Sequence, residues 1–189
     1  MTDPFALIGV PRKLDLEEAE IERLLLEASQ IHHPDNGGDQ DLFLKIRLAG
    51  EILNSPAKRV RAAIECEGLS FDERGEIPDK VMEHFSYVAS VLQKVDSFVS
   101  ERSKALSILG KAVLDVRVPV LKADLEEVIS NLNELKSAMV ARFKSFDERG
   151  WNECEIEMNE VARGLIFLTK WAAQLRAANG KLFEALLGG

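Results

Sequence analysis

The residues best suited to chemistry cluster at His32-His33-Pro34-Asp35. An adjacent histidine and carboxylate can serve as base and orienter in proton transfer. The same pair can instead offer a ring donor and a carboxylate to a partner, the carboxylate being able to take a bidentate arginine. The catalytic use needs company that is missing here: there is no candidate nucleophile, glycine-rich phosphate loop or His-x-x-Glu-type metal spacing beside the cluster. A hairpin tip also gives little concavity for a substrate. We therefore read the chain as not an enzyme, with no cofactor and no metal. Under the recognition reading Pro34 stiffens the loop that carries His33 and Asp35. The competing reading is that both residues merely cap and turn a hairpin.

The flanking segments must position that loop. Proline and glycine fall at Pro4 to Pro11, Pro34 to Gly38, Pro56, Gly68 to Pro78, Pro119 and Gly150, with helical periodicity between them, so the fold class is all-α. A short first helix over residues 4 to 8 has Asp3 to cap it, Pro4 in its first turn and Gly9 to end it. A second helix is predicted from Asp15, in a capping box with Glu18, with Ile21, Leu24, Leu25, Ala28 and Ile31 facing inward. It must stop near His33, because Pro34 disfavours a helical residue before it. After Asn36-Gly37-Gly38 a third helix, capped by Asp39 or Asp41, directs Leu42, Phe43, Ile46, Ala49 and Leu53 inward, making an antiparallel hairpin with the second. Ser55-Pro56 opens a fourth helix carrying Lys58, Arg59, Arg61 and Ile64, and Gly68 closes a first domain over residues 1–68.

Residues 69–79 lack a periodic apolar face and read as a linker, with a second domain over 80–189. There Val81, Phe85, Val88, Leu92, Val95 and Val99 alternate spacings of four and three, as do Leu121, Leu125, Val128, Leu132, Leu135 and Met139. A last helix from about Trp151 to Leu186 carries Met158, Val161, Leu165, Leu168, Ala172 and Leu175. Three such seams predict an elongated three-helix bundle. The segment 103–122 has no role in this reading. The hexapeptide Ser70 to Gly75 recurs as Ser145 to Gly150 in unlike surroundings, and we read the recurrence as coincidence.

Composition narrows the function classes. With 189 residues and 46% hydrophobic content the chain can bury an ordinary core. Its longest apolar runs fall well short of the ~20 residues of a membrane span, and Met1 to Pro4 has neither the basic flank nor the apolar run of a leader. A cytoplasmic, soluble protein with no membrane partner is the expectation. Cys66 and Cys154 are far apart in the chain and form no Cys-x-x-Cys pair, so they read as reduced thiols. A net charge of -8 repels a phosphate backbone and argues against nucleic acid.

Within this frame His33-Pro34-Asp35, in a loop between two helices near the start of the chain, resembles the signature of J-domain (DnaJ-like) co-chaperones. Phe5 to Pro11 resembles that family's opening helix and turn, and Asn36-Gly37-Gly38-Asp39, Phe43, Ile46, Ala49, Ile52-Leu53, Pro56 and Arg59 follow its third helix and end. The resemblance covers about the first 65 residues. A J domain followed by a helical bundle, without a glycine-rich linker or zinc-finger cysteines, is similar to the HscB-type co-chaperones of iron-sulfur cluster assembly. Val81-Met82-Glu83-His84-Phe85 resembles the scaffold-binding start of that bundle, Trp151 and the acidic stretch after it also fit, and Gly164 to Lys170 resembles its last helix.

The resemblance implies docking to the ATPase domain of a DnaK-type chaperone through His33, Pro34, Asp35 and Arg23, stimulation of its ATP hydrolysis, and delivery of an IscU-type scaffold held by Val81, Met82, Phe85 and Phe167. Phe167 with Trp171 makes an i,i+4 aromatic pair that, with Met82, can form an exposed apolar patch. The chain departs from the family at several positions. Asp15 to His32 holds six acidic residues with Arg23 as the sole strong base, where J domains present a basic face. Asn36 replaces the usual lysine after the tripeptide, and Ser86 and Ala89 stand where the family's scaffold site is acidic. These departures keep open a second reading, a degenerate J-like helical binding module that stimulates no chaperone.

Overall fold

The computed structural model describes residues 2–187, and among them every regular element is helical. The chain divides into two compact units. One holds the chain up to Ile77 together with Ala138–Ile166, and the other holds Pro78–Ser137 and the chain from Phe167 on.

In the first unit α1 (Pro4–Ile8) is capped by Asp3, whose carboxylate accepts from the Phe5 and Ala6 amides, and stopped by Gly9 at φ 80°. The second helix, α2 (Glu18–Ile31), starts three residues later than the capping box predicts. Glu17, not Asp15, stands at the N-cap, with no side-chain cap bond, and the Asp147 carboxylate takes the Leu14 and Asp15 amides. Helix α3 (Gln40–Leu53) is capped by Asp39, and α4 (Pro56–Cys66) by Ser55 with Pro56 in its first turn. Helices α2 and α3 run antiparallel, since His33 just beyond α2 meets Phe43 early in α3 while Leu25 lies against Gly50 late in it. Ile21 is fully buried, but Ile31 is 70% exposed, so the predicted apolar face of α2 ends a turn early.

These four helices do not close a core by themselves. Phe5, Val10, Leu14, Val60 and Ile64 share one cluster with Phe143 and Phe146 of α9 (Phe143–Arg149), with Trp151, and with Met158, Val161 and Leu165 of α10 (Glu155–Leu187). A chain of about 60 residues buries too little surface to be robust, and the later segment supplies the missing cover. Two hubs, one buried and one half-buried, tie the pieces. The Arg59 guanidinium donates to the carbonyls of Leu53 and Leu14, both at 2.7 Å, and of Leu16 at 3.4 Å, and burial pulls its pKa down. Asp147 accepts from the Leu14 and Asp15 amides and from the Trp151 indole at 2.8 Å.

The stretch 69–77 is strapped to this core. Leu69 and Phe71 pack on it, Asn159 accepts from the Asp72 amide and donates to the Ser70 carbonyl, and Arg163 reaches the carbonyls of Asp72 and Glu76. At Gly75 the strap passes close to the tips of Arg163 and Asp72, 2.5 Å from where a Cβ would stand. The sequence reads this stretch as a free linker because its anchors, Asn159 and Arg163, lie some 90 residues away.

In the second unit α5 (Asp79–Met82) and α6 (Phe85–Lys104) are separate helices, followed by α7 (Ile108–Asp115) and α8 (Val118–Val140). Tyr87 bonds Glu127, Lys94 bonds Asp124 and Arg117 bonds Glu101, which sets α6 and α8 antiparallel. Lys181 of α10 pairs with Asp96 of α6 and the rings of Phe85 and Trp171 meet, so α10 from Phe167 on runs parallel to α6. The buried stripe of α6 is Val88, Val91, Val95, Phe98 and Arg102, whereas Phe85, on the predicted seam, is 52% exposed. The helix is interrupted at Glu83-His84, and Phe85 is the first residue of α6. On α8 the stripe is Val118, Leu121, Leu125, Val128 and Leu132, close to prediction.

Candidate functional site

The tripeptide loop is built by its own backbone. His33 ends in the extended region (φ -64°, ψ 133°), as a residue before proline must. Its Nδ1 accepts from the Asp35 amide at 3.2 Å, capping a single 3-10 turn over Pro34–Asn36. A neutral ring that accepts at Nδ1 carries its proton on Nε2. The turn ends at Gly37, at φ 77°, and the amide of Gly38 returns to the His33 carbonyl at 3.1 Å. Gly38 has no room for a side chain: a Cβ would lie 2.3 Å from the carbonyl carbon and oxygen of His32. Asn36 closes the other side, its amide nitrogen donating to the Gln30 carbonyl at 2.9 Å.

On this frame the His33 ring stands edge-on to Phe43, 5.1 Å between centroids, and keeps 42% of its side chain exposed. Asp35 is 89% exposed, so its carboxylate is presented to solvent with the backbone behind it already satisfied. Arg23 does not join them. It lies on α2 in an exposed i,i+4 pair with Glu27 at 2.7 Å, an interaction worth little in water. Phe43 is the residue that sequence reasoning missed as a partner of His33. The signal for it is its place in the first turn of α3, directly after the loop.

In the second unit Phe85, Phe167 and Trp171 form an aromatic group. The Trp171 ring lies 6.2 Å from Phe85 and 6.1 Å, edge-on, from Phe167, and the Lys170 ammonium lies 5.6 Å from the Phe167 ring centroid. Trp171 is buried beneath, Phe167 is half-buried, and Phe85 and Met82 are exposed at 52% and 41%. Val81 is fully buried, so it supports this surface from inside rather than lining it. An apolar surface resting on a buried indole can serve as a protein-binding hot spot. The two thiols add nothing to either place: burial pushes both the Cys66 and the Cys154 pKa up, away from thiolate chemistry.

A scan against protein-family models finds no match to this chain. No curated protein matches it either. Among the described residues no helix is long and apolar enough to cross a membrane, and no group of three or more His, Cys, Asp or Glu side chains could hold a metal ion.

Proposed function

We propose that this protein is a co-chaperone, a J-domain hairpin followed by an elongated three-helix bundle. It docks on the ATPase domain of a DnaK-type chaperone through His33, Pro34 and Asp35, stimulates ATP hydrolysis there, and delivers a client. The observation that carries the reading is the loop itself: a rigid, hydrogen-bonded turn that spends its backbone internally and leaves the Asp35 carboxylate and the outer nitrogen of His33 for a partner. A carboxylate so held can accept a guanidinium without paying much ordering entropy. The client surface is the group Met82, Phe85 and Phe167 over Trp171, and the client is an IscU-type scaffold of iron-sulfur cluster assembly. Titration of a purified DnaK-type ATPase domain with the wild type and with Asp35→Asn tests the docking half. A loss of affinity of about tenfold or more supports it, and equal affinities reject it.

One observation favours the second reading, a J-like module that stimulates no chaperone. The single strong base of α2, Arg23, is paired to Glu27, and α2 is otherwise acidic. An acidic helix slows encounter with an acidic chaperone surface. Under the second reading chaperones bind neither the wild type nor the variant, and the aromatic surface of the second unit binds its partner unaided.

A further inference from the structure

The segment between α6 and α8 is the most exposed apolar part of the described chain. Leu106 is 101% exposed, Ile108 89%, Leu109 75%, Val116 75% and Val113 65%. At 100° per residue Ile108, Leu109, Ala112, Val113 and Val116 fall within one arc of about 140° on α7, a single apolar face. Contiguous apolar surface on the order of several hundred Å² is unusual on a free protein and marks a contact. At the edge of this arc α7 is anchored: Arg102, itself buried, holds Asp115 by two hydrogen bonds at 2.7 and 3.2 Å and also reaches the Ala185 carbonyl, Ser107 caps the Gly110 amide, and Leu114 on the far side is half-buried. The ion pair beside the arc and the half-buried Leu114 behind it leave the apolar face on the outside. The Asp115 carboxyl is kept below the usual carboxylate range by the same guanidinium.

The charge of the segment that carries this face is opposite to that of the chain. Residues 104–122 contain four bases, Lys104, Lys111, Arg117 and Lys122, against one acid, Asp115, for a local +3 within a chain of net charge -8. Lys104 and Lys122 are exposed and form no ion pair among the described residues. A short apolar helix within a net-positive segment matches an anionic lipid surface, which takes apolar side chains into the acyl boundary and basic side chains at the headgroups. A second copy fits less well: an isologous contact through this face would set the same lysines against each other. A pocket-bearing partner would need a groove to receive a residue that is fully solvated on all sides. We propose that α7 and its flanks form an interfacial anchor that seats this protein on anionic lipid. Such an anchor lies in the surface without spanning it.

The test is co-flotation of the full chain with vesicles of phosphatidylcholine containing phosphatidylglycerol, and with vesicles of phosphatidylcholine alone. The wild type is expected to float with the anionic vesicles only, less so as salt rises. Ile108→Asp with Leu109→Asp should cut the bound fraction about tenfold or more, and Lys104→Glu with Lys122→Glu should abolish the preference for anionic lipid. All four side chains are exposed, so an unchanged melting curve is expected and checks the fold. Absence of flotation, or flotation that both double variants keep, overturns the proposal. A concentration-dependent dimer in sedimentation velocity that Ile108→Asp with Leu109→Asp dissolves also overturns it, assigning the face to a second copy.

Discussion

The loop at His33 and the aromatic surface over Trp171 become available to partners by opposite routes. The loop is assembled within about ten residues of chain, from Gln30 to Gly38, and its shape follows from a proline, two glycines and a capping ring nitrogen. The aromatic surface draws on residues some 80 positions apart, Met82 and Phe85 on one side and Phe167 and Trp171 on the other, and exists only because packed helices bring them together. A locally built site can display polar groups at almost no cost to the core. A site built at long range needs buried support, here Val81 and Trp171, under each exposed ring.

That contrast makes quantitative predictions, the largest of which concern the frame behind the loop. Arg59→Met removes three carbonyl partners in a buried setting and should cost about 3 kcal/mol in urea unfolding. A change below ~1 kcal/mol would mean that water satisfies those carbonyls. Gly38→Ala forces a methyl group onto the His32 backbone, for which a loss of about 2 kcal/mol is expected together with loss of docking. If docking survives intact, the loop is less rigid than its hydrogen bonds imply.

The two copies of Ser-Phe-Asp-Glu-Arg-Gly sharpen the same point. In one copy Asp147 lies on α9 and accepts from three donors, and Gly150 leaves the helix at φ 90°. In the other, Asp72 sits in an extended strap, accepting from the Arg74 amide with its side chain largely exposed. Asp147→Ala should therefore cost about 2 kcal/mol and Asp72→Ala less than ~0.5 kcal/mol in the same denaturation series. Equal losses would refute the claim that context and not the hexapeptide decides.

At the aromatic surface the expectation reverses. Met82→Ala with Phe167→Ala should leave the unfolding free energy within ~1–2 kcal/mol of wild type while each truncation removes ~1–3 kcal/mol of scaffold binding by calorimetry. Large instability with binding preserved would make these rings core residues.

The physical origin of each element explains how much could be read in advance. Caps and stops that depend on neighbours in sequence, such as Asp3, Gly9, Asp39, Ser55 and Gly68, stand where residue type and spacing place them. The start of α2 does not, and the Asp15 amide, which a capping box would give to Glu18, is instead taken by a carboxylate 132 residues away. Phe85 fits a heptad seam equally well by spacing, yet at the start of α6 its ring is 52% exposed, which spacing does not show. The tie between the N-terminal helices and residues 138–166 was invisible for a similar reason: an apolar stripe states that a face is covered but not by what. The hydropathy of 106–120 likewise shows apolar residues without showing that they are exposed.

The most direct test of the central claim is single-turnover ATP hydrolysis by a DnaK-type chaperone, with the wild type and with His33→Gln. His33 is half-exposed and bonds only within its own turn, so the variant should unfold within ~0.5 kcal/mol of wild type. Stimulation by the wild type that His33→Gln removes, and that an IscU-type scaffold enhances, is the predicted result. Hydrolysis rates unchanged by the wild type, or raised equally by His33→Gln, would contradict the co-chaperone account.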